Sequence, residues 1–124
     1  MQKIWIKASA VEIQAELNDT KTAKAILEAL PLKAKANTWG DEIYFPIPLK
    51  LQIEDGQEIV EAGDLGYWPE GHCFCIFFGP TPASQGNEIR PASPVTVFGK
   101  VIGDPKILKQ VASGTTITVE LRSR

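Results

Sequence analysis

The sequence predicts a mainly β protein whose antiparallel strands form a barrel or a sandwich. Three observations carry that expectation. Runs of polar–apolar alternation recur along the 124 residues, only two short stretches have helical periodicity, and the strands do not alternate with helices as a parallel βαβ sheet requires. The length fits one domain, residues 1–124, able to bury a core without metal or disulfide staples.

"KIWIKA" sets Ile4, Ile6 and Ala8 opposite Lys3, Trp5 and Lys7, and "VEIQAEL" sets Val11, Ile13, Ala15 and Leu17 opposite Glu12, Gln14 and Glu16. Period two marks half-buried strands. A helix follows: Asp19 or Thr20 caps it, Ala23, Ile26, Leu27 and Leu30 form its apolar stripe, and Pro31 stops it. "LKAKANTW" and "EIYFPI" return to strand around the Gly40-Asp41 turn, after which Pro46 and Pro48 push the chain to an edge or loop. The less regular stretch up to Trp68 holds an Asp55-Gly56 turn and two short strands. "HCFCIFF" is apolar on both faces, as a central strand is. Pro80, Pro82, Pro91 and Pro94 mark residues 79–94 as a long surface loop. It is not a linker, since neither half of the chain closes a sheet alone. "VTVFGKVIG" is a strand bent at Gly99, "DPKILKQVA" a short helix with Asp104 as cap and Pro105 at its first position, and "TTITVELR" a last alternating strand.

Net charge is −2 with pI near 5.4, and Lys and Arg are scattered. Neither nucleic acid nor an anionic membrane is an expected partner. The N-terminus alternates from its start and no run approaches the roughly 18 apolar residues of a membrane span. With two cysteines, too few for a secreted disulfide framework, the expected location is cytoplasmic.

"HCFC" is the most conspicuous chemical candidate. In a strand Cys73, Cys75 and Phe77 share one face, and His72, Phe74, Ile76 and Phe78 the other, so the histidine points away from both thiols. No second Cys or His pair exists to complete a zinc site. Cα atoms two apart on a strand lie about 6.6–6.8 Å from each other, at the limit for a disulfide. The cysteines read as core packing and His72, the only histidine, as a strand-end residue; no metal and no cofactor are expected. Nucleophile-elbow, dinucleotide and phosphate-loop patterns are absent. Asp41, Glu42, Asp55 and Asp64 fall near turns, where carboxylates bond local backbone, although Glu42 projects beside Tyr44. Trp39, Tyr44, Tyr67 and Trp68 combine apolar area with polar tips, which suits a ligand site and a barrel plug equally. Arg90 stands isolated in the Pro-rich loop.

"NTWGDEIYF", "GDLGYWPEGHCFCIFFGPTP" and "PASPVTVFGKVIGD" together resemble the small prokaryotic cyclophilin-like proteins, a largely uncharacterised family, over nearly the whole chain. The resemblance implies a closed eight-stranded antiparallel barrel with a short helix capping each end. Authentic cyclophilins carry a Phe-His-Arg stretch whose Arg assists rotation about the X–Pro bond, then a Phe-Met-x-Gln-Gly-Gly-Asp block lining the proline pocket. Here the comparable strand is "EIYFPI", no Arg precedes Arg90, and Glu61-Ala62-Gly63-Asp64 keeps the Gly-Asp but lacks the Gln. Isomerisation must overcome about 18–20 kcal/mol, which requires positioned donors.

The sequence therefore points to a barrel that binds a small molecule or peptide segment without efficient isomerase chemistry and without assignable catalytic residues. Its groove is edged by Trp39, Tyr44, Tyr67, Trp68 and His72 over Phe74 or Phe77, with Glu42, His72 and the Tyr hydroxyls orienting the ligand. The alternatives are a weak or specialised prolyl isomerase, with Arg90 reaching in as donor, and an accessory subunit. The last would dock on an enzyme partner, as other cyclophilin-like domains stand beside amidohydrolases and carboxylases, or on itself as a homo-oligomer.

Overall fold

The computed structural model describes residues 2–121. In chain order the elements are β1 (Lys3–Ala8), β2 (Val11–Leu17), α1 (Lys21–Ala29), β3 (Leu32–Lys35), β4 (Asn37–Thr38), β5 (Glu42–Pro46), β6 (Asp64–Trp68), β7 (Cys73–Phe77), β8 (Thr96–Ile102) and β9 (Thr116–Glu120). Two 3₁₀ segments, Pro69–Gly71 and Pro105–Gln110, flank β7 and β9 on their N-terminal sides. The strands form one sheet in the order β3-β9-β1-β2-β8-β6-β7-β5-β4, antiparallel throughout.

The ends of that order are β3 and β4, neighbours in sequence, so the sheet is a nearly closed barrel. Residues 32–38 form one run that changes partner at Ala36: β3 pairs with β9 and β4 with β5. Ala36 leaves the ladder to donate to the Thr115 carbonyl at 2.8 Å and accept from the Gly114 N–H at 2.7 Å. Nine strand segments thus stand where eight strands were expected.

The alternation in β1 and β2 puts Ile4, Ile6, Ala8, Val11, Ile13, Ala15 and Leu17 into the barrel core. Thr20 caps α1, its hydroxyl accepting the Ala23 N–H at 3.0 Å, and the Glu54 carboxylate takes the next free donors, the Lys21 and Thr22 N–H groups, both at 3.1 Å. A carboxylate there also meets the positive end of the helix dipole. The second helical segment is 3₁₀ rather than α; Asp104 caps it at the Lys106 N–H, and it buries Leu108 in the same core.

Two further features differ from the sequence expectation. Of the two short strands expected in the stretch up to Trp68, one forms, β6; before it the chain makes only two isolated bridges, Gln57↔Val95 and Val60↔Ile89, because it pairs with the Pro-rich loop and its exit rather than with another strand. His72 also precedes β7 rather than sharing its face: with φ of 52° it ends the 3₁₀ turn in the left-handed region.

The sheet has two apolar faces here. Inside, Phe45, Phe74, Ile76, Tyr67 and Phe98 join the main core, with Phe74 stacked on Phe45 at 4.9 Å and edge-on to Phe98 at 5.0 Å. Outside, Cys73, Cys75 and Phe77 join Val60, Ile89 and Val95 in a second cluster. No helix of the described residues is long and apolar enough to cross a membrane.

Candidate functional site

The second cluster makes the site possible. On β5, Ile43 and Phe45 fill the barrel, so Glu42 and Tyr44 face outwards, opposite Phe77 and Cys75 of β7. On β6, Gly66 gives that outer face no side chain: a Cβ there would lie 2.9 Å from Val95 and 3.1 Å from Phe77. Val95 and Phe77 close over the gap, and the loop of residues 79–94 folds down on them. What remains is a small cleft of about 120 Å³ lined by Trp39, Glu42, Tyr44, Trp68, Pro91, Ala92 and Val95.

Each wall is fixed. Trp39 sits in the β4–β5 turn, its N–H on the Glu42 carbonyl at 2.9 Å. The next residue is Gly40 at φ of 61°, against which Pro80 and Pro82 pack so closely that a Cβ would approach within 2.9 Å. Trp68 ends β6, its indole Nε1 donating to Ser93 Oγ at 2.6 Å, and Ser93 donates in turn to Glu70 at 2.9 Å. The Trp68 ring lies over Gly71. Pro91 and Ala92 are carried by a loop knotted on Ser84, whose hydroxyl accepts the Thr81 and Arg90 N–H groups at 2.9 and 3.1 Å.

Glu42 gives the cleft its chemistry. It is 6% exposed, whereas Trp39, Tyr44 and Trp68 are half-buried, so the acid lies deeper than the rings. Its Oε1 is buried without a hydrogen-bond partner, the one such side-chain atom among the described residues. Burial pushes its carboxyl up from 4.5 to about 7, and the adjoining Cys75 thiol offsets this only in part. That thiol also points at the Cys73 carbonyl, 3.9 Å away. Burial, reinforced by the neighbouring Glu42, raises both thiols as well, so the cysteines are poor nucleophiles and poor metal ligands. Among the described residues no group of three or more His, Cys, Asp and Glu side chains is placed to hold a metal ion.

A larger groove of about 620 Å³ runs past Asn18, Thr20, Glu54, Asp55, Glu61 and Asp64. Its acids are mostly engaged in holding the fold: Glu54 at α1, Glu61 on Lys100 at 2.8 Å, and Asp64 on Lys100 at 3.5 Å and the Glu61 N–H at 2.9 Å. The Glu42 cleft is smaller, but its acid has no such partner.

A cyclophilin-like family model matches residues 2–120. The chain belongs to the cyclophilin-like family. A hypothetical protein of Archaeoglobus fulgidus, solved in solution, is similar: it is 39% identical and superposes with a TM-score of 0.82, over 98% of this chain and 95% of that one. No curated protein matches the chain.

Of the residues singled out from the sequence, this cyclophilin-like barrel gathers Trp39, Glu42, Tyr44 and Trp68 around one cleft, with Phe77 in the cluster beneath. Tyr67 and Phe74 are inside the barrel. The Tyr67 hydroxyl is used there, donating to the Leu49 carbonyl at 2.6 Å and accepting the Leu51 N–H at 3.1 Å. His72 does not line the cleft. Arg90 stands next to two wall residues, but its guanidinium is turned to Glu88 at 2.7 Å and Glu58 at 3.9 Å. Sequence reasoning missed Pro91, Ala92 and Val95, whose only signal was their place at the exit of the Pro-rich loop.

Proposed function

We propose that this cyclophilin-like barrel binds a small molecule, or one side chain of a peptide segment, in the Glu42 cleft, without efficient prolyl isomerisation. One observation carries the reading: Glu42, one of whose carboxyl oxygens is buried without a hydrogen-bond partner, lines a cleft walled by three half-exposed aromatic rings. An unsatisfied buried polar group costs about 1–3 kcal/mol, which a ligand's donor would relieve. Specific small-molecule sites are lined mostly by apolar and aromatic side chains, with a few placed polar groups that fix orientation. The lining includes no Arg or Lys, so it lacks the cationic donor that rotation about an X–Pro bond would use. The Trp68 indole N–H is also occupied by Ser93.

The test is nuclear magnetic resonance on the ¹⁵N-labelled chain, titrated with the N-acetyl methylamides of proline, phenylalanine and lysine. The indole signals of Trp39 and Trp68 should move with at least one probe, while Trp5, on β1 outside the cleft, stays still. If no probe shifts the two cleft indoles, the assignment of the site is wrong. Exchange spectroscopy on a labelled X–Pro peptide should show no protein-dependent cis–trans cross-peaks; strong ones would overturn the non-isomerase part.

A further inference from the structure

The lining of the cleft specifies a charge. Trp39, Tyr44 and Trp68 line the cleft with aromatic rings, whose faces carry the negative lobe of the ring quadrupole, and Pro91, Ala92 and Val95 add apolar contact. Glu42 is the one ionisable carboxyl among the lining residues, and among the described residues no ion pair reaches it. The nearby cations are engaged elsewhere: Arg90 with Glu88 and Glu58, and Lys109 with Asp41 at 3.8 Å. A buried acid with no internal counter-ion, walled by aromatic rings, is complementary to a soft organic cation, because ring quadrupole and carboxylate attract the same sign of charge. About 120 Å³ gives room on the order of four water-sized groups, the scale of an ammonium nitrogen with its methyl substituents. It excludes a large head group.

We propose that the cleft recognises an alkylammonium head group, with Trp39, Tyr44 and Trp68 as walls and Glu42 as counter-ion. This rests on the cleft being the binding site. A trimethylammonium group has no N–H to donate and is attracted to the carboxylate by charge and to the rings by cation–π contact. A less methylated amine would also donate to the Glu42 carboxylate. The same chemistry occurs on a free small amine and at the end of a methylated lysine side chain of a peptide.

Binding should also depend on pH, since only the ionised carboxylate attracts the cation. Burial holds the Glu42 carboxyl near 7 in the free protein. The groups that face it are Tyr44 on its own strand, Cys75 and Cys73 on β7, and the rings of Trp39 and Trp68. The two thiols are raised above their usual value and stay neutral here. Asp41, the adjacent acid, is paired with Lys109. Affinity for the cation should therefore rise about tenfold between about pH 6 and about pH 8, following ionisation of Glu42.

The experiment compares, on the intact chain and by the same indole titration, choline, its uncharged isostere 3,3-dimethylbutanol, and N-acetyl-trimethyllysine methylamide. The cations should move the Trp39 and Trp68 signals at concentrations at least tenfold below the isostere. Glu42→Gln should weaken the cations by tenfold or more and leave the isostere unchanged. The pH series on the native protein gives the same answer without any variant. Tighter binding of the lysine derivative assigns the site to a peptide, and tighter binding of choline to a free amine; both support the proposal. Equal or tighter binding of 3,3-dimethylbutanol, or cation affinity indifferent to Glu42→Gln and to pH, overturns cation recognition and leaves the cleft a neutral-ligand site. Silence from every probe, charged and uncharged, overturns the site itself.

Discussion

Replacing Glu42 with Gln should shift the stability balance towards the variant as pH rises, although it alters a residue assigned to binding. In the folded state the carboxyl is held at about 7, against an ordinary 4.5, because the charged form is buried. Between those values the native state keeps the proton and the unfolded chain has released it. The native state then binds more protons, so stability falls as pH rises through the window from 4.5 to about 7. At about 1.4 kcal/mol for each pKa unit, the full loss attributable to Glu42 is about 3 kcal/mol. With about 2.1 cal/mol/K of unfolding entropy per residue, that is a shift on the order of 10 °C in Tm for a chain of this size. Glu54, Glu61 and Glu88 act in the opposite sense, since their partners hold them below the ordinary carboxylate range. They are present in both proteins and cancel in the comparison. The assay is urea unfolding of the native protein and Glu42→Gln, followed by circular dichroism from about pH 4 to about pH 8. The stability difference should move by about 3 kcal/mol in favour of the variant across that range, whatever constant offset the amide introduces. Parallel pH profiles would refute the reasoning.

Four further substitutions, at three positions, test how the barrel is held. Thr20→Ala removes the cap of α1 and should cost about 1 kcal/mol, read from the same urea curves. Phe74→Ala opens the aromatic stack between Phe45 and Phe98 and should cost about 3–5 kcal/mol, whereas Phe74→Leu should cost less than half of that. Gly99→Ala places a Cβ 2.7 Å from the Glu16 carbonyl oxygen of β2, so backbone must move; a loss of about 1–3 kcal/mol, with faster amide exchange along β2 and β8, is expected.

Much of the barrel was legible because side-chain alternation was strict. In β1, β2 and β9 the apolar positions of the sequence are the buried ones, and the start of α1 is legible to within one residue, Asp19 or Thr20, of which the structure makes Thr20 the cap. Residues 49–63 were not legible, since their two bridges depend on partners in residues 89–95, a pairing no local pattern encodes. The "HCFCIFF" strand left its facing open for a related reason: both faces are apolar because each has its own core. The cleft was half legible. Alternation with Ile43 and Phe45 puts Glu42 and Tyr44 on one side of β5, but Glu42 is buried only because the loop of residues 79–94 folds across the outer face. Tyr67 and Trp68 looked alike in sequence; strand parity sends the first into the barrel and leaves the second at the cleft.

The central claim is that Glu42 is a buried acid without a counter-ion, one of its oxygens unpartnered, that serves a ligand. Its side-chain carboxyl carbon, labelled with ¹³C and followed by nuclear magnetic resonance through a pH titration, tests this most directly. A midpoint near 7 in the free protein, falling when N-acetyl-trimethyllysine methylamide or choline saturates the cleft, is the predicted result. A midpoint at the ordinary carboxylate value, or one near 7 that neither cation moves, would contradict the account.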